Sequence, residues 1–139
     1  MCAEWYQKLR ALSKANAEDL LTKAVIPSRS EQVEAFKNAL PLIADEVIDS
    51  DPIYLQLCDP EIFKRTKERI IDKWEDIQAC AENIPDPIQL RAWIARLGGP
   101  VTAGELDLSE EQEWLGKEFS HYLRERFSIN IIRKLFGWD

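Results

Sequence analysis

A chain of 139 residues with 45% hydrophobic and 31% charged residues has the composition of one globular domain. It is long enough to bury roughly two thirds of the surface its unfolded form exposes. No stretch reaches the ~18 uninterrupted apolar residues of a membrane span, and the opening MCAEWYQKLR lacks the basic-then-apolar layout of a secretory leader, so the expected location is cytoplasmic, with no membrane partner. A formal charge of −7 and a pI of about 4.8 give a field that repels phosphate backbones, which argues against a nucleic-acid partner.

The first half of the chain is lightly punctuated. Residues 1 to about 23 are helix formers with a break near Asn16, and Pro27-Ser28 marks a turn before a helix that starts near Arg29. Pro41 must kink or restart that helix, because an interior proline loses a hydrogen bond and clashes with the preceding turn at ~3 kcal/mol or more. The sharpest expectation is a helix over 60–82. Asp59 caps it, Pro60 takes the first helical position and Glu61 suits the first turn. Phe63, Thr66, Ile70, Trp74, Ile77 and Ala81 then recur at steps of three and four as one apolar stripe, which Asn83-Ile84-Pro85 ends.

Asp86-Pro87 repeats the device and opens a helix with Leu90, Trp93, Ile94 and Leu97 on one face, stopped by Gly98-Gly99-Pro100. Thr102-x-x-Glu105 is a capping-box pattern for a single turn. Ser109-x-x-Gln112 is a second such box, starting a helix over about 110–126 whose inner face is Trp114, Leu115, Phe119, Tyr122 and Leu123. A last short helix runs from Ile129 to Phe136 and stops at Gly137. No run alternates apolar and polar residues as a strand would, so the expected fold class is all-α: a single compact domain, 1–139, of six to seven helices.

Chemistry-bearing patterns are sparse. Cys2, Cys58 and Cys80 are odd in number and widely spaced, which excludes a disulfide framework and a CxxC motif; they are expected as free thiols, Cys58 and Cys80 half-buried. The one histidine, His121, has Glu118 and Glu125 at helical spacing and is expected at the surface or rim, since a metal site needs two or three further ligands. No GxSxG turn, GxGxxG or GxxxxGK[ST] occurs. The acidic pairs at Asp45-Glu46, Asp49-Ser50-Asp51 and Glu110-Glu111 are the kind that end solvated helices. The locally basic stretch of Arg124, Arg126, Arg133 and Lys134 leaves a helix-turn-helix-like adaptor as an alternative, with solvated or intersubunit pairing of the arginines favoured over it. No catalytic, cofactor-binding or metal-ligating residue is assigned.

The segments DKWEDI (Asp72 to Ile77), IPDPIQLRAWIARLGGPVTAGELDLS (Ile84 to Ser109) and HYLRERFSI (His121 to Ile129) resemble the C-terminal helical domain of glycerol-1-phosphate dehydrogenases, within the iron-dependent alcohol dehydrogenase and dehydroquinate synthase group. Residues 71–139 carry the resemblance and 1–70 form a looser helical part. In the family, the resemblance implies, NAD(P) sits on an N-terminal α/β half with a glycine-rich turn, and an aspartate and two histidines hold zinc or a similar metal. This chain has no glycine-rich turn and no histidine before position 121. The resemblance therefore implies a stand-alone or partial helical domain, not catalytic by itself, with no NAD(P) and no stoichiometric metal bound. Its expected partner is a second copy or a separate nucleotide-binding half. Trp74 and Trp93 are expected as core anchors. Ile131, Ile132, Leu135, Phe136 and Trp138 are the candidate contact face, unless that helix closes the domain's own core.

Overall fold

The computed structural model describes residues 2–123 and 126–138. Among them are ten α-helices, one 3-10 turn and no strand, so the all-α class holds with shorter and more numerous helices than expected. The first helical stretch breaks at Leu12-Ser13 into α1 (Cys2–Ala11) and α2 (Lys14–Lys23), because the Ser13 side chain accepts from the Asn16 amide and caps a new start. The end of α1 is tied to a distant part of the chain that packs beside it. Gln78 Nε2 donates to the Leu12 carbonyl at 2.8 Å and Arg10 donates to that of Ile84 at 3.1 Å.

A full capping box of Ser28 and Glu31 opens α3 (Arg29–Ala39), which ends before Pro41; α4 (Ala44–Asp49) and α5 (Ile53–Gln56) are short restarts beyond it. Asp59 accepts from the amides of Glu61 and Ile62 to start α6 (Pro60–Asp72). The single helix expected over 60–82 is in fact two. Lys73 leaves helical geometry (φ −102°, ψ 18°) and α7 (Trp74–Glu82) begins at once, turning Trp74 inward until its ring centroid lies 6.1 Å from that of Phe136.

Asp86 caps α8 (Pro87–Arg96), and Gly98, at φ +71°, closes it with the Gly99 amide donating to the Ile94 carbonyl. A 3-10 turn (Gly104–Leu106) and the Ser109–Gln112 capping box lead to α9 (Glu110–Phe119). The chain finishes in α10 (Ile129–Leu135), whose end uses the same device: Gly137 sits at φ +63° and the Trp138 amide reaches back to the Arg133 carbonyl at 2.9 Å.

The core is gathered by α1, α7 and α10, with Trp5, Leu9, Trp74, Ile131, Leu135 and Phe136 at its centre. This overturns the proposed terminal contact face. Ile131, Ile132, Leu135 and Phe136 are buried, and Trp138 lies half-buried with its ring 5.0 Å from Phe136. Ile129, Ile131, Ile132 and Leu135 of α10, with Phe136 just beyond it, turn into the core, while its Arg133 and Lys134 are held by Glu118. A second correction concerns Trp93, which is 45% exposed, whereas Trp74 is a core anchor as expected at 2%. Cys58 is half-buried as expected, and Cys80 is exposed.

Candidate functional site

Two features stand out, one inside and one outside. The inner one exists because α9 stops at Phe119 instead of continuing to residue 126. The turn that follows swings His121 and Tyr122 into the body, so the expectation of a surface or rim histidine fails: His121 is 3% exposed. Its ring lies edge-on to Tyr54 at 4.2 Å and against Tyr122 at 4.1 Å. Tyr122 in turn packs on Phe36 and donates its hydroxyl to Gln32 Oε1 at 2.7 Å, a buried bond across ninety positions of sequence. Gln32 completes its amide by donating to the Pro27 carbonyl at 2.8 Å and to Cys58 Sγ at 2.9 Å.

Burial, then the positive charges of Lys134 and Arg133, push the His121 imidazole down to about 3, so it is neutral at physiological pH. Its Nδ1 is buried and, among the described residues, meets no hydrogen-bond partner within normal geometry, although the Glu118 backbone raises the imidazole against the other causes. Burial raises Tyr54 to about 12 and Tyr122 further, so neither phenol ionises near neutrality. Glu118 is shared by Arg133, at 3.4 Å, and Lys134, while the Arg133 guanidinium lies 4.6 Å over the Trp5 ring. Two of the four basic residues expected as solvated or intersubunit are thus structural ties inside one chain. Arg126 is exposed, and Arg124 lies outside the described residues, as does Glu125, one of the two carboxylates weighed as a partner for His121.

This cluster flanks a cleft of about 340 Å³, yet it holds no nucleophile aligned with a base. It reads chemically as a folding lock. Replacing Tyr122 by phenylalanine should strand the buried Gln32 oxygen and lower stability by ~1–3 kcal/mol. Urea denaturation measures it, and the paired change Tyr122→Phe with Gln32→Leu should lose less than the two single losses added.

The outer feature is the arm from α8 to α9. Ile88, Trp93, Ile94 and Leu97 on α8, Leu106 and Leu108 in the connection, and Trp114 on α9 are all exposed, Leu97 at 88% and Trp114 at 56%. Trp114 and Leu123 were expected on an inner face and are not there. Trp93, Arg96 and Leu97 border a shallow hollow of about 290 Å³ on the outer side. A larger one of about 670 Å³ lies where the arm meets α1, crossed by the Arg91–Glu4 pair at 2.8 Å. Large exposed apolar patches on soluble proteins mark contact sites.

A glycerol-1-phosphate dehydrogenase [NAD(P)+] of Bacillus licheniformis is 36% identical to this chain over 59 residues. The match spans 42% of this chain and only 15% of that relative. No protein-family profile matches the chain, and no solved structure does. The similarity agrees in direction with the resemblance carried by the sequence segments above, and it covers a part of each protein.

Among the described residues no three histidine, cysteine or carboxylate groups converge as metal ligands, and the free His121 nitrogen lies in the field of Lys134 and Arg133, which repels a cation. Two residues of the acidic pairs are ion-paired, Asp45 with Lys37 at 2.8 Å and Asp51 with Arg29 at 2.7 Å. Sequence reasoning missed Gln32 and Tyr54 altogether. No local pattern marks a residue whose partner lies ninety positions away.

Proposed function

We propose that this chain is a non-catalytic helical module, akin to part of a glycerol-1-phosphate dehydrogenase, that works by contact, and that the occupant of its α8–α9 face is a second copy of itself. The observation that carries the reading is the exposed apolar set Ile88, Trp93, Ile94, Leu97, Leu106, Leu108 and Trp114 along α8, the connection and α9. Closed two-fold pairs are the commonest way for a soluble protein to cover such a face. The partial similarity to the dehydrogenase supports the ancestry and also a second reading, in which a separate nucleotide-binding half covers the same face.

Light scattering coupled to gel filtration decides between the two. The expected result is a particle of twice the 16.1 kDa chain mass at micromolar concentration, reverting to one chain in Trp93→Glu or Leu97→Glu. Both positions are exposed, so neither change should unfold the domain. A single-chain particle at hundreds of micromolar would overturn the second-copy reading and leave the face to a different partner.

A further inference from the structure

The two helices of the exposed arm carry opposite charge beside the same kind of apolar surface. On α8, Trp93 and Leu97 lie one turn apart with Arg96 beside them. The three border the outer hollow, and Arg96 has no ion-pair partner among the described residues. On α9, Trp114 has Glu110 and Glu111 four and three positions before it, on the same side of the helix, and neither carboxylate is paired among the described residues. The α8 segment, PIQLRAWIAR, contains two arginines and no acid, whereas α9 begins with three glutamates, of which Glu113 is taken by Lys117.

From this we infer the register of the self-association proposed above, on which the inference rests. In a two-fold pair, α8 of each copy lies along α9 of the other, so that Arg96 meets Glu110 and Glu111 while Trp93 and Leu97 cover Trp114. The arrangement is self-complementary, as a two-fold interface requires: whatever α8 gives to the other copy's α9 is given back by the second α8. Superposing α8 on α8 instead would set arginine against arginine, and α9 on α9 would crowd four unpaired carboxylates, juxtapositions that such a pair selects against. The apolar centre supplies the affinity and the charge pairs fix which helix is met.

The test is a charge exchange on the full chain, read by sedimentation equilibrium. Arg96→Glu alone, and Glu110→Arg with Glu111→Arg, should each weaken the dimer about tenfold or more, and the triple exchange should return to within about threefold of the original. Raising the salt concentration should weaken the original dimer and the triple exchange alike. Circular dichroism should show every variant fully helical, since the changed side chains are exposed. If the reversals leave the dimer unchanged, or the triple variant is no tighter than either parent, this register is wrong, although self-association would stand as long as Trp93→Glu abolishes it. A chain that is monomeric throughout removes both.

Discussion

Replacing Trp74 by alanine should lower stability by about 3–5 kcal/mol, a large part of the ~5–15 kcal/mol that holds a domain of this size together. Trp93→Ala should cost about 1 kcal/mol or less. Both tryptophans sit in apolar helical stripes, and the difference comes wholly from what lies opposite. Trp74 is enclosed by the core of α1, α7 and α10, with Phe136 against its ring, whereas Trp93 has solvent over nearly half its area. Thermal melts of the two variants compared at one concentration give the answer. Equal losses would mean that α8 is turned inward. Because self-association adds stability to whatever it buries, the comparison belongs at a dilution where the chain is monomeric.

Acid should destabilise the protein from a pH well above the carboxylate range, through His121. The unfolded histidine takes up a proton near 6.5, and in the fold it does so only near 3. Between those two values the unfolded state binds the extra proton, so stability is fully retained above about 6.5 and is lost progressively as pH falls towards 3. At ~1.4 kcal/mol per unit the whole effect is on the order of 5 kcal/mol. Burial and the charges facing the imidazole outweigh the backbone of Glu118, which acts the other way. Lys134 and Arg133 from α10 oppose its charge, Glu118 is already shared by both, and Tyr54 and Tyr122 stay protonated. Urea denaturation from pH 7.5 to 4 should show a steep decline that His121→Phe flattens. An unchanged slope in that variant would mean the acid sensitivity resides in the carboxylates.

The punctuation of the fold was legible because it is local. Asp59-Pro60, Asp86-Pro87, Ser109 with Gln112 and the glycines at 98 and 137 act within one turn of helix, and each does in the structure what its residue type dictates. The break at Lys73 was not legible, because the stripe through Ile70, Trp74, Ile77 and Ala81 keeps its spacing across it. Periodicity also finds a face without finding what covers it, which is why Trp93 and Trp114 were expected inside. The burial of His121 follows from where α9 ends, two residues before it, and nothing in the sequence there, neither proline nor glycine, announces that end.

The packing of α1 against α10 brings Cys2 within 3.6 Å of the Asn130 side chain, 128 positions later. On a ribosome adding ~5–20 residues per second, roughly 6–25 s separate the two. During that interval Trp5 and Leu9 have α7 and α8 beside them but lack the share of their cover that α10 provides. Closure of the core over α1 is therefore finished only once α10 has been made, long after α7 has docked on it.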